Sequence, residues 1–182
     1  MEFYLKYDGP LKSNAGPEEK HNIREYLYPQ MKKLWDIEPL KSCKDDFLTP
    51  GNVGSVLKEI DGVIFAPLVS GVLKCICQLD ITILWPEEPG VISKHGGDID
   101  NRLKTLFDAL QCPDINQFKQ IKQSFVDKQP FFCLLENDKL ITSVKIKTHT
   151  LLHYENKNDV SVLMHVVVKT TELMWINIGL SR

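Results

Sequence analysis

The sequence has no apolar run near the length of about 20 residues that a membrane-spanning helix requires. Its first residues place Glu2 and Lys6 among aromatic side chains, unlike the basic start and apolar stretch of a secretory signal peptide. Internal repeats and low-complexity segments are absent as well. We therefore expect a cytoplasmic protein with no membrane association.

Cysteines in the spacing of a zinc site are also lacking. The five cysteines are an odd number, and they are spread along the chain. Cys75 and Cys77 form a C-x-C pair without a second pair or a nearby histidine at zinc-site spacing. We interpret the cysteines as reduced, small and mostly buried.

An excess of positive charge, which is typical of nucleic-acid-binding proteins, is missing from the chain as a whole. The net charge is -2. The balance differs locally, because residues 94–147 contain nine Lys or Arg against seven Asp or Glu. If three of those acids held a metal ion, the remaining field would attract a phosphate backbone. The charge pattern permits DNA binding without requiring it.

Length and composition predict one domain over residues 1–182, and the pattern of strands and helices predicts an α+β fold. The hydrophobic content of 43% and the charged content of 25% are ordinary for a globular chain. Apolar alternation predicts strands at 3–7, 62–69, 72–85, 131–135, 141–151 and 160–173, the last as a partner of its predecessor. Helical spacing predicts helices at 18–35, kinked or split at Pro29, at 101–111 and around 117–125. We expect a mixed or mainly antiparallel sheet with helices packed on one face, and a loop-rich stretch at 36–55.

Residues 95–108, H-G-G-D-I-D-N-R-L-K-T-L-F-D, carry the strongest signal for chemistry. Gly96 and Gly97 allow a sharp turn or a close approach to a ligand. Asp98 and Asp100 flank Ile99, so an extended backbone would point both carboxylates to the same side. Two oxygen anions that face one way suit a hard divalent cation.

The same stretch then becomes an amphipathic helix, with Asp100 expected at or near its N-cap. Asp100, Lys104 and Asp108 follow at intervals of four and share the polar face. An N-cap aspartate with a lysine four residues later is ordinary in helices, so a purely structural role is the alternative. Two features favour a functional role: Asp98 adds nothing to capping, and Asp108 lies where the helix dipole disfavours an anion. We expect Lys104 to be the partner of Asp108.

The segment D-I-D-N-R-L-K-T-L-F-D-A-L, residues 98–110, resembles the signature of the RusA family of Holliday-junction resolvases. The pattern of that family is D-x-D-N-x-x-K-x-x-x-D-A-L, and this chain meets each fixed position. The resemblance implies a small homodimeric, magnesium-dependent endonuclease of DNA recombination and repair, of a kind often carried by prophages. It implies branched DNA as the partner and Mg2+ or Mn2+ as the cofactor.

The resemblance also implies a set of metal ligands. The motif pair is Asp98 and Asp100, and a third carboxylate comes from an acidic turn after an apolar strand. The matching turn here places that carboxylate on Asp138, with Asn137 where the family has another acid. Glu136 is the alternative if the register slips by two residues.

The resemblance also implies that Lys104 assists at the phosphate. From the residues themselves we expect Asp108 to tether Lys104, and Asn101 to orient a carboxylate or contact the phosphate. Arg102, Lys145 and Lys147 are the candidate DNA contacts. Lys145 and Lys147 either line a groove beside the metal or lie on an ordinary exposed strand face.

Three functions remain open at this stage. The first is metal-assisted hydrolysis of phosphodiesters in branched DNA, with Asp98, Asp100, Lys104 and Asp138 as catalytic residues. The second is a non-catalytic DNA-binding or partner-binding module that retains the fold. The third is a nuclease of the same chemistry that acts on flaps, forks or RNA.

Overall fold

The computed structural model describes residues 1–86, 98–125 and 127–181. Within these ranges, two sheets and four α-helices make up an α+β fold, as predicted. The strands are β1 (Glu2–Pro10), β2 (Lys58–Ile60), β3 (Val63–Val69), β4 (Cys75–Trp85), β5 (Phe131–Leu135), β6 (Ile141–Thr150) and β7 (Asp159–Thr170). The helices are α1 (Pro17–Leu34), α2 (Leu40–Leu48), α3 (Ile99–Leu110) and α4 (Ile115–Ile121).

A mixed four-stranded sheet in the order β1-β7-β4-β6 forms the main platform. β7 pairs antiparallel with both β1 and β4, whereas β6 pairs parallel with β4. The predicted pairing of β6 with the strand that follows it is therefore wrong, since both strands flank β4. Because β4 and β6 run parallel, their carboxyl ends meet at the same end of the sheet.

One face of this sheet forms the main core with α1 and α3. Odd-numbered residues of β4, from Cys75 to Ile83, are buried and alternate with half-buried neighbours. They pack with even-numbered residues of β7 and with the apolar stripe of α3, including Leu103, Leu106 and Leu110. The predicted packing of helices on one face is confirmed.

A smaller sheet in the order β2-β3-β5 supports a second, aromatic core beneath α4. Phe65, Phe118, Phe125 and Phe131 pack with ring centroids 4.7 to 6.0 Å apart. β5 runs parallel to β3, and Leu135 at its end bridges to Gln111, just after α3. This connection determines where the turn after β5 lies.

Two helical predictions need correction. Of the two forms expected at Pro29, the split into two helices is wrong and the kink stays a prediction. The helix α1 is one continuous element, because the burial of Ile23, Leu27 and Met31 outweighs the backbone hydrogen bond that proline cannot donate. The stretch predicted as loop-rich contains α2, which buries Leu40 and Phe47.

Four of the cysteines are buried as predicted, and Cys43 is half-buried. Burial raises the pKa of the Cys75 thiol to about 11 and that of the Cys77 thiol to about 12. Among the described residues, none of the helices has the length and apolar character needed to cross a bilayer.

Candidate functional site

The start of α3 lies at the end of the sheet where β4 terminates. Arg102, in the first turns of the helix, lies with its guanidinium carbon 4.4 Å from the centroid of the Trp85 ring. Its Nη1 donates to the carbonyl of Leu11 at 2.9 Å. The predicted DNA contact Arg102 is thus part of the packing that holds this end of α3 against β4.

Asp98 is the N-cap of α3, and Asp100 lies in its first turn. The predicted start at residue 101 is two residues late, so Ile99 and Asp100 are helical and the extended alternation of the two carboxylates does not form. His95, Gly96 and Gly97 lie outside the described residues. Both aspartate side chains are exposed.

The carboxylate of Asp98 does not cap the helix, although its position would allow it. Asp114, the N-cap of α4, accepts hydrogen bonds from the backbone N–H groups of Asn116 and Gln117 at 2.8 and 3.0 Å. Asn137 likewise accepts from the N–H of Lys139 at 3.0 Å. Within the described chain, the carboxylate oxygens of Asp98 thus accept no capping hydrogen bond, whereas the side-chain oxygens of Asp114 and Asn137 do.

The pair fits a hard divalent cation in its chemistry. Carboxylate oxygens are the donors that Mg2+ prefers, and this ion commonly takes one or two carboxylates together with waters and a substrate phosphate. Neither Asp98 nor Asp100 forms a side-chain hydrogen bond or an ion pair with another described residue. Both carboxylates can therefore turn towards a ligand without breaking a contact of the described fold.

Lys104 lies one turn after Asp100 and is exposed, as the motif predicts. It is not the partner of Asp108. Lys20 of α1 donates to Oδ2 of Asp108 at 2.7 Å, and Gln111 donates from Nε2 to Oδ1 at 3.3 Å. Lys104 and Asp108 therefore share a helix face without a tether between them, and that expectation is corrected. Asn101 lies in the first turn, half-buried, where its carbonyl accepts from the hydroxyl of Thr105.

Asp138 does not join the motif pair. Its backbone N–H donates to Oε1 of Gln111 at 2.9 Å, so it lies beside the carboxyl end of α3. Asp100 and Gln111 are eleven residues apart, which corresponds to about 16 Å along a helix axis. In the described ranges 1–86, 98–125 and 127–181, no three acidic, histidine or cysteine side chains form a group that could hold a metal ion.

Glu136, the alternative third ligand, is engaged elsewhere. Its Oε2 accepts from the backbone N–H of Gly71 at 3.0 Å, and its Oε1 lies 3.5 Å from Nζ of Lys58. These contacts join the end of β5 to β2 and to the turn after β3. Glu136 therefore has a structural role at that position.

Lys145 and Lys147 are exposed on β6, on the sheet face opposite α1 and α3. Lys145 lies 3.2 Å from a carboxylate oxygen of Asp80 on β4. Both lysines thus lie on an exposed strand face, and the groove beside the metal stays a prediction.

The sequence pattern gave no signal for a buried polar cluster on α1. His21 and Arg24 are polar residues of this helix, yet both are buried. Arg24 donates to the carbonyls of Asp108 and Gln111, and so caps the carboxyl end of α3. Burial lowers the pKa of the Arg24 guanidinium and of the His21 imidazole.

No family model matches this chain, and neither does any curated protein.

Proposed function

We propose that the protein is a divalent-metal-dependent endonuclease that hydrolyses phosphodiester bonds in branched DNA, working in the cytoplasm as a homodimer of the RusA type. The observation that carries the proposal is the start of α3. There, two exposed aspartates precede an exposed lysine within the complete motif D-x-D-N-x-x-K-x-x-x-D-A-L. An N-cap aspartate whose carboxylate makes no capping hydrogen bond adds to this support.

Asp98 and Asp100 are the residues that would hold the ion. When bound there, Mg2+ or Mn2+ supplies Lewis acidity at a phosphate oxygen and lowers the pKa of a coordinated water. Two carboxylates are enough protein ligands for Mg2+, since the substrate phosphate and waters complete its coordination. Asp138 is not part of the proposed site, because it lies at the opposite end of α3.

Lys104 supplies positive charge next to the carboxylate pair. Residues four apart are neighbours on a helix surface, so its ammonium group can approach a phosphate bound beside Asp100. There it stabilises the negative charge that grows on the phosphoryl oxygens during hydrolysis. Asp108 is bound to Lys20, so it does not draw Lys104 towards the far end of the helix. We assign Asn101, in the same first turn, the orientation of a carboxylate of the pair.

The test compares the protein with Asp98→Asn and Asp100→Asn on a labelled four-way junction, a fork and a linear duplex. We expect cleavage of the junction in Mg2+ and none in EDTA. Each variant should lose at least about 100-fold in rate with an unchanged thermal unfolding midpoint, because a lost ligand costs no less than a lost supporting contact. Asp138→Asn is the matched control and should retain activity. Unchanged cleavage by both Asp98→Asn and Asp100→Asn would exclude the proposal.

A non-catalytic DNA-binding module is the second candidate, and one observation favours it. The third carboxylate that the resemblance implies is absent from the start of α3. Calorimetric titration with Mn2+ separates the two candidates. An endonuclease should bind Mn2+ and lose that binding in Asp98→Asn. A binding module should still bind DNA, but its titration with Mn2+ should release or absorb no heat of binding.

A further inference from the structure

The four-stranded sheet has a second face that the described helices do not cover. We call it the open face; it consists of the even-numbered residues of β1 and β4 and the odd-numbered residues of β6 and β7. These side chains are exposed or half-buried, whereas their neighbours in sequence on β1, β4 and β7 point into the core. The registers align them in rows that cross all four strands.

One of these rows presents an aromatic pair to solvent. Tyr4 lies opposite His165, and their rings stack with centroids 4.7 Å apart and planes inclined by 22°. Tyr4 is 63% exposed. A flat, exposed ring supported from behind by another ring is a surface on which an unpaired base can stack.

Three acidic groups of the open face have basic partners on the same face, whereas Asp159 at the start of β7 accepts from Asn156. Glu2 lies 3.4 Å from Nε2 of His165, and Asp80 lies 3.2 Å from Nζ of Lys145. Asp8 likewise pairs with the lysine two residues before it, at 2.9 Å. Paired carboxylates repel a phosphate less than unpaired ones, so the face tolerates a polyanion.

On the open face, β6 contributes basic side chains and no acid, and one of them, Lys145, is paired with Asp80 of β4. These basic side chains are Lys145, Lys147 and His149. The next row runs Lys6, Leu163, Thr82, Lys147, and it also lacks an acid. Leu163 is 44% exposed in the middle of that row, where it offers an apolar contact between two cations.

We propose that the open face binds an unpaired nucleic-acid strand, with bases stacked on Tyr4 and His165 and phosphates held by Lys145 and Lys147. Neighbouring strands lie about 4.8 Å apart, so β1 and β6 are separated by about 14 Å, which a short unpaired segment can cross. A duplex keeps its bases stacked on each other, and a flat protein face then offers it phosphate contacts only. The stacking rings therefore select an unpaired strand.

The open face also continues towards the carboxylate pair. β4 and β6 end at the same side of the sheet, and α3 begins there, with Arg102 packed on Trp85. A strand that leaves the open face past Lys147 thus reaches the end of the sheet where Asp98 lies. This inference rests on the proposed function, since it assigns an unpaired arm of a branched substrate to a surface next to that site.

The test measures binding of the full chain to a labelled oligo-dT strand and to an abasic strand of equal length. The protein carries Asp100→Asn and is kept in EDTA, so that cleavage does not interfere, and binding is followed by fluorescence anisotropy. We expect oligo-dT to bind more tightly than the abasic strand. Tyr4→Ala should weaken oligo-dT binding about tenfold and leave abasic binding unchanged, while Tyr4→Phe retains affinity.

The lysines are tested by the salt dependence of the same binding. Lys145→Ala with Lys147→Ala should reduce the slope of log affinity against log salt by about 1.4, since each phosphate contact to a single strand contributes about 0.7. Lys32→Ala with Lys33→Ala, on the exposed side of α1, is the charge-matched control and should leave the slope unchanged.

Three results would overturn the inference: no effect of Tyr4→Ala, equal affinity for a blunt duplex, or displacement of the strand by a polyglutamate peptide at equal charge. Failure of the proposed function is distinguishable from these. If Asp98→Asn and Asp100→Asn still cleave while Tyr4→Ala weakens strand binding, the assignment of the metal site falls and the open face stands. If cleavage depends on both aspartates and Tyr4→Ala has no effect on strand binding, the assignment of the metal site stands and the inference about the open face falls.

Discussion

Lys20 in the first turn of α1 donates to Asp108 in the last turn of α3, with 2.7 Å between Nζ and Oδ2. Both side chains are only 14% exposed, so the pair is largely shielded from solvent. The contact joins residues 88 positions apart and fixes the carboxyl end of α3 against α1. It also explains how an anion is accommodated where the helix dipole disfavours one.

Replacing Lys20 by Met should therefore lower the free energy of unfolding by about 2 kcal/mol, between the values for exposed and fully buried pairs. Lys104→Met removes the same group from the residue four positions before Asp108, and it should change stability by less than about 0.5 kcal/mol. Urea unfolding of both variants measures the difference. Equal losses would mean that Lys104 shares the carboxylate, contrary to the structure.

Arg24 should contribute strongly to stability, because its side chain is buried. Its guanidinium donates to the carbonyls of Asp108 and Gln111, which are among the terminal carbonyls that α3 cannot satisfy by itself. Arg24→Met leaves both acceptors without their donor, and we expect a loss of roughly 3 kcal/mol in the free energy of unfolding. Arg24→Lys retains a charge but not the planar pair of donors, so its free energy of unfolding should lie between those of the unsubstituted protein and Arg24→Met. A loss below about 0.5 kcal/mol for Arg24→Met would contradict this role.

Sequence periodicity was sufficient for the local elements of the fold. The alternation along β4 and the apolar stripe of α3 both follow from burial of one face, and β5 has the predicted bounds. The exposed Asp98, Asp100 and Lys104 were found in the same way, because their spacing is set within a single helix start. These features depend on residues close together in the chain.

The position of Asp138 could not be predicted from sequence periodicity. It depends on the direction of β5 and on α4, which lies between α3 and β5. Because Leu135 bridges to Gln111, the turn that follows begins beside the carboxyl end of α3 and not its amino end. A short motif carries no information about that topology. For the same reason the sequence did not identify Lys20, which is distant in the chain, as the partner of Asp108.

Gln111 links the end of α3 to the turn after β5. It donates to Asp108 at 3.3 Å and accepts from the backbone N–H of Asp138 at 2.9 Å. In Gln111→Met the Asp138 amide loses its acceptor, so its hydrogen exchange should accelerate about fivefold, as expected for a loss of about 1 kcal/mol. Amides in the middle of β4 serve as an internal control and should not change. Unchanged exchange at Asp138 would show that another group protects the turn.

His21 should make stability fall in mild acid. The imidazole is buried against Phe125, with 4.5 Å between ring centroids, and burial lowers its pKa below 6.5 despite the nearby carboxylate of Glu25. The positive charges of Arg24 and Lys128 act in the same direction as burial. As the pH drops below about 6.5, the unfolded chain takes up a proton at His21 more readily than the folded one. The contribution of neutral His21 to the free energy of unfolding is therefore complete above that pH and is lost below it.

Urea midpoints at pH 7.5 and pH 5.5 for the protein and for His21→Leu test this expectation. The decrease between the two pH values should be smaller in His21→Leu, which keeps an apolar side chain against Phe125 and has no proton to gain. The exposed histidines of β6 and the loop after it are common to both proteins, so their titration cancels in the comparison. If the two proteins lose stability equally on acidification, the imidazole of His21 is not the group whose protonation opposes folding.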